Sequence, residues 1–283
     1  MITKYSHTSG VKAANEWNIT DAANRIWSFM IRSLATRPHV PSAQQKMAQM
    51  GYHLICITIR GFSPSSPVSE DYGEAWYDVF SEDVIRVADK LGIGRFVYMG
   101  ASHGAGIGWH LCLNHPKRVK AFVAVVGGPH SLDQGRMSFR QMMEQGIIKE
   151  LPPFNPPIRS DAEREIRRNR RLTHIMNQPA KPEGEKHIDY GRPLMKYKTE
   201  EVLREKLRTI QTPVLMMGGM EDPISTPELM LRTAKCLPNC KWIMYTNCGH
   251  DIDTDLIEET TQEADRFLKN VKECGHFYQK VEE

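Results

Sequence analysis

Ser102 stands in Gly100-Ala101-Ser102-His103-Gly104, directly behind the apolar run Arg95-Phe96-Val97-Tyr98-Met99. A serine hydroxyl is a weak nucleophile until a neighbouring base takes its proton. Two later loops offer the partners. Asp222 lies in Met220-Glu221-Asp222-Pro223, after the run Thr212 to Gly219, and His250 lies in Asn247-Cys248-Gly249-His250-Asp251, after Trp242 to Tyr245. A hydroxyl, an imidazole and a carboxylate together can attack a carbonyl, with the histidine as base and the acid fixing its tautomer. Glu221, beside Asp222, is the competing acid.

The glycines around the serine have a steric task. A strand that turns at once into a helix brings the two backbones close, and Gly100 and Gly104 leave room for that approach. The same turn sets the His103 N–H at a helix start, aimed at an anion forming on an attacked carbonyl. The His103 ring is expected to pack beside the turn and leave that task to its N–H. His110 and His130 are candidates to approach the site or the segment above it, and neither has metal-ligand spacing.

The elements that must position these residues alternate along the chain. Trp76 to Leu91 reads as a helix with Val79, Val84, Ile85, Val87, Ala88 and Leu91 as its apolar stripe. A second helix follows Ser102, and Ala121 to Val126 is a continuous apolar run of the kind found in strands buried on both faces. Thr260 to Val271 has the spacing of a terminal helix. This order predicts an α/β fold with a mostly parallel central sheet flanked by helices. Serine, acid and histidine each follow a strand, which places all three at one edge of the sheet.

Between Gly128 and Val214 the chain spends about eighty residues, far more than a simple connection needs. A helical cap over residues 129–208 is therefore expected, inserted into a core of 1–128 and 209–283, with helices at Met137 to Lys149, Asp161 to Met176 and Thr199 to Arg208. The arginines between Arg159 and Arg171 read as a solvated helix face in preference to a site for an anionic substrate or acidic partner. Met137, Met142, Met143, Met176 and Met195, with Phe139, are candidates to line an adaptable apolar pocket.

The ordered set Ser102, Asp222, His250 resembles that of an α/β-hydrolase fold enzyme with an inserted helical cap. The resemblance extends to Met50-Gly51-Tyr52-His53-Leu54-Ile55, to Ile59-Arg60-Gly61-Phe62-Ser63 and to His115-Pro116-Lys117-Arg118-Val119. It implies an acyl-enzyme mechanism without organic cofactor or metal, acting on a small-molecule acyl substrate. In that family the strand before the first helix usually ends in His-Gly, whose loop lends a second oxyanion N–H. Here Ile26 to Ile31 runs into Arg32-Ser33-Leu34, so the donor is Ser33 or Leu34. A second departure is Thr58, where the family commonly has Asp. The serine argues against the carboxylate-nucleophile branches, the dehalogenases and epoxide hydrolases. The leading expectation is a carboxylic ester or lactone hydrolase. A thioesterase, acyltransferase, perhydrolase or C–C bond hydrolase on the same triad is the second, and a non-catalytic ligand-binding member of the fold the third.

Composition bounds the partners. The chain has 283 residues, 40% of them hydrophobic, with 37 basic and 34 acidic side chains giving a net +3. That length holds one sizeable core. The near balance of charge gives no general attraction to nucleic acid or to a membrane surface, and no apolar run has the length of a membrane span. The six cysteines show no secreted framework pattern and the first ten residues no apolar leader, which together point to the cytoplasm. A homodimer and a monomer both remain open.

Overall fold

The computed structural model describes residues 2–5, 27–32, 43–60, 70–132 and 190–274, with positions 68, 142, 143, 145–149, 162, 165 and 166 between them. Seven strands form one sheet: β1 (Ile2–Tyr5), β2 (Trp27–Arg32), β3 (His53–Thr58), β4 (Phe96–Ala101), β5 (Val119–Val125), β6 (Val214–Gly219) and β7 (Cys240–Tyr245). Their spatial order is β1-β3-β2-β4-β5-β6-β7. Only β1 runs antiparallel, on β3, and the other pairings are parallel. Residues Ile2–Tyr5, within a polar stretch that shows no apolar leader, thus add an edge strand.

Alternation along the central strands feeds two cores on opposite faces. Phe96 and Tyr98 of β4, Phe122 and Ala124 of β5 and Val214 and Met216 of β6 pack on one face, against α2 (Trp76–Lys90), α3 (His103–Asn114), α4 (Glu200–Arg208) and α5 (Pro227–Cys236). Val97, Met99, Ala121, Val123, Leu215 and Met217 point the other way, against α1 (Ala43–Gln49), the short α6 (Ile252–Asp255) and α7 (Ile257–Cys274). Cover on both faces explains why β4 to β6 read as unbroken apolar runs.

Helix α2 begins where expected but is held by other side chains. Its fully buried residues include Trp76, Tyr77, Phe80 and Val84, whereas Val79 is only half-buried. The aromatic residues bury more area than the aliphatic stripe and so set the face that turns inward. Gly92, at φ 68, ends the helix, and Gly92 and Ile93 donate to the carbonyls of Asp89 and Ala88. That closure turns the chain into β4.

Most of the expected cap lies outside the described residues, including Met137, Phe139, Met176 and the arginines from Arg159 to Arg171. Its last segment is described. Leu194, at φ 64, donates its N–H to Nε2 of His110 (3.0 Å), while the other ring nitrogen of His110 bonds Asp78 (2.7 Å). A carboxylate can only accept, so His110 carries its proton on Nδ1. Asp78 also accepts from Asn114 and from Lys196, each at 2.7 Å, and these partners hold its carboxyl far below the ordinary range against the opposing effect of burial. His110 thus ties residues 194–196 to α2 and α3 rather than approaching Ser102. Among the described residues no helix is long and apolar enough to cross a membrane.

Candidate active site

Because β4, β6 and β7 are parallel, the loops after them leave the same edge of the sheet. Ser102 occupies the turn between β4 and α3 at φ 52 and ψ −112, a conformation that costs a side-chain-bearing residue about 1–3 kcal/mol. The surroundings enforce it. Ser102 donates its N–H to the Val125 carbonyl (2.9 Å) and accepts from Gly106 N–H (3.0 Å). A side chain at Gly100 would run into the backbone of Gly104 and come within 2.7 Å of the Ala105 nitrogen. Tyr98, from the strand itself, donates its hydroxyl to the Gly104 carbonyl at 2.8 Å.

The acid and histidine loops are locked to each other. Gly219 ends β6 where a Cβ would strike the backbone of Cys248 and Gly249, so glycine is needed for the approach. Glu221 accepts Asn247 N–H (3.1 Å) and Cys248 N–H (2.7 Å), one on each carboxylate oxygen. Its own N–H donates to the Cys248 carbonyl at 3.0 Å. The competing acid is therefore spent on holding the histidine loop, which turns through Asn247 at φ 57.

Asp222 faces the histidine. Its Oδ1 accepts Ile224 N–H (2.8 Å) and Ser225 N–H (3.0 Å), and its Oδ2 lies 2.8 Å from Nδ1 of His250. The other ring nitrogen of His250 is 2.9 Å from Ser102 Oγ. With Nδ1–H donated to the carboxylate, Nε2 is left to accept the serine proton. Asp222 is 3% exposed and His250 8%, so the chain of hydrogen bonds is shielded from water while Ser102 stays half-buried. Shielding strengthens each link.

His103 follows Ser102 in the first turn of α3, where N–H groups have no helical carbonyl to meet. Its Nδ1 shares a 2.8 Å hydrogen bond with Tyr77 Oη, and the two ring planes are nearly parallel, 6° apart. The ring thus packs beside the turn, as its sequence position predicts. Ser33 and Leu34 lie outside the described residues; β2 runs toward them and ends at Arg32, with Ile31 paired to Gly100.

Three features have no sequence signature of their own. Tyr77 lies 26 positions from its partner, Glu221 differs from Asp222 only in where its side chain reaches, and His130 sits close enough to His250, Asp222, His103 and Arg192 for their charges to act on it. Its place just beyond the strand run Ala121 to Val126, after Gly127, Gly128 and Pro129, was the sequence hint that His130 approaches the site.

Comparison with known proteins agrees with the fold. Residues 22–252 match the alpha/beta hydrolase fold family. The chain belongs to that family. Among curated relatives of this hydrolase-fold protein, bifunctional epoxide hydrolase 2 of Rattus norvegicus is 24% identical over 273 residues, a match taking in 79% of this chain and 48% of the rat protein. The chain thus spans about half the length of that relative. Among solved structures, an esterase from Thermogutta terrifontis superposes with a TM-score of 0.66 at 17% identity, covering 96% of this chain and 93% of that one. The enol-lactonase from Burkholderia xenovorans gives 0.63 at 17% identity, covering 95% of this chain and 96% of the other. At such identities the two structures speak for the shared fold.

Proposed function

We propose that this protein is a hydrolase that opens a carboxylic ester or lactone through an acyl-enzyme intermediate. The observation that carries the reading is the continuous hydrogen-bond chain from Ser102 Oγ through both nitrogens of His250 to Asp222. His250 Nε2 takes the hydroxyl proton as Ser102 Oγ bonds to the substrate carbonyl carbon, and Asp222 stabilises the imidazolium that results. The carbonyl oxygen becomes an oxyanion facing the His103 N–H, with the second donor from Ser33 or Leu34. The tetrahedral centre collapses, the C–O bond to the alcohol breaks, and His250 returns the proton to the departing oxygen. Water, deprotonated by His250, then attacks the acyl-serine and releases the acid.

The names of the structural neighbours, an esterase and an enol-lactonase, agree with this chemistry. The epoxide hydrolase relatives point to another reaction, and a serine at position 102 argues against it. A hydroxyl that opens an epoxide leaves an ether, with no carbonyl for water to attack, so a serine would be consumed after one turnover.

The test is labelling of wild type and Ser102→Ala with a fluorophosphonate probe, followed by peptide mass mapping. Modification of Ser102 in wild type alone, with turnover of short aryl esters that the variant loses, is expected. A folded wild-type protein that neither labels nor turns over esters or lactones would refute the reading and favour a non-catalytic ligand-binding member of the fold.

A further inference from the structure

His130 is a titratable side chain near the site to which the mechanism above gives no task. β5 lies between β4, which delivers Ser102, and β6, which delivers Asp222. The loop after β5 must therefore emerge between nucleophile and acid, and His130 stands in that loop.

The loop is pinned residue by residue. Val126, at φ 44, donates its N–H to the Met217 carbonyl at 2.8 Å. Trp109 Nε1 donates to the Gly127 carbonyl at 2.6 Å. Gly128 N–H donates to Ser225 Oγ at 2.8 Å, and Ser225 N–H in turn donates to Oδ1 of Asp222. The Pro129 carbonyl accepts from the guanidinium of Arg232, which is itself paired with Glu200 at 3.2 Å. Four successive residues are thus fixed by buried groups, one of them through a single serine to the triad acid. Rigidity of this kind serves precise placement of a side chain.

His130, half-buried at the end of this loop, makes no hydrogen bond to a described residue. Its ring nitrogens are not among the sealed-off polar atoms, so they stay open to a bound group, and a polar side chain held rigidly at a reaction site is matched by what binds there. Resting on the hydrolase reading, we propose that His130 is a substrate-binding residue that hydrogen-bonds an uncharged polar group, a hydroxyl or carbonyl, carried by the ester or lactone close to its scissile carbonyl. Burial and the nearby charge of Arg192 hold the ring down at about 3, so it is neutral at physiological pH and offers one N–H and one lone pair. It supplies hydrogen bonding without the counter-charge that a carboxylate would require.

The experiment compares para-nitrophenyl butanoate with its beta-hydroxy derivative, in wild type, His130→Ala and His130→Gln. Wild type is expected to favour the hydroxy ester. The ratio of the two kcat/KM values falls about tenfold in His130→Ala, the loss of one hydrogen bond, and returns in part in His130→Gln. Fluorophosphonate labelling of Ser102 in each variant reports that the triad is assembled. A ratio unchanged by His130→Ala overturns the proposal, whether both activities fall together or neither does. Wild type that turns over neither ester and does not label at Ser102 refutes the hydrolase reading, and the proposal with it.

Discussion

Asparagine in place of Asp222 is the substitution whose outcome the geometry specifies most closely. Oδ1 of Asp222 accepts two backbone N–H groups, from Ile224 and Ser225, while Oδ2 faces Nδ1 of His250. In Asp222→Asn the amide must keep its carbonyl oxygen toward the two N–H donors, because turning it over would set an NH2 against them. The NH2 then points at Nδ1 of His250 and donates to it. The imidazole proton moves to Nε2, which lies 2.9 Å from Ser102 Oγ and would now donate where it must accept. A base in the wrong tautomer cannot take the serine proton, and a loss of about 10,000-fold in kcat is expected with little change in fold. Glu221→Gln gives the contrast. Its two carboxylate oxygens each accept a loop N–H, so one NH2 must oppose a backbone donor. The expected cost is about 1–3 kcal/mol of stability, with a rate loss of about tenfold or less. Steady-state hydrolysis of an aryl ester, the rate of fluorophosphonate labelling and urea midpoints separate the two effects. An Asp222→Asn enzyme within about tenfold of wild type beside an inactive Glu221→Gln would refute both the acid assignment and the tautomer argument.

Two further outcomes follow from the surroundings of the site. Gly100→Ala drives a methyl group into the backbone of Gly104 and Ala105, where nothing can yield, so a cost above about 3 kcal/mol and loss of Ser102 labelling are expected. Gly92→Ala meets open space at φ 68 and should cost only about 1–2 kcal/mol; similar thermal shifts in both would contradict the steric account. Acid stability supplies the second. His130, held at about 3 by burial and Arg192, and His110, lowered by burial against the opposing pull of Asp78, both sit below the ordinary 6.5. The unfolded chain therefore binds more protons than the folded one below that value. Stability is full above about pH 6.5 and declines as pH falls, by up to about 1.4 kcal/mol per pH unit for each ring. Urea midpoints should drop on acidification, less steeply in His130→Gln than in wild type, and parallel slopes would refute the assignment.

Much of the scaffold was legible because local chemistry alone imposes it. A strand buried on both faces must be apolar throughout, so Ala121 to Val126 and Val214 to Gly219 stood out. A serine in a left-handed turn needs glycines beside it, so Ser102 did too. The helices at Trp76, Glu200 and Ile257 appeared within a few residues of their expected bounds. The antiparallel β1 was missed because four residues of mixed polarity gain strand character only from pairing with β3. The face of α2 was misjudged at Val79 for a related reason, since the aromatic residues Trp76, Tyr77 and Phe80 find their partners only in the assembled core.

The sequence by itself determined which residue types are available for chemistry, their order along the chain, and the strand ends that carry them, because turn sterics and apolar patterning act over a few neighbouring residues. Tertiary structure turned Asp222 toward His250 and Glu221 toward the loop N–H groups, set His103 against Tyr77, tied His110 to Leu194 and Asp78, and brought His130 within reach of the charges of His250 and Asp222. Each of those choices depends on which side chain meets which partner across 25 or more positions of chain. Such meetings are fixed by strand order and loop closure in three dimensions, and no local propensity encodes them.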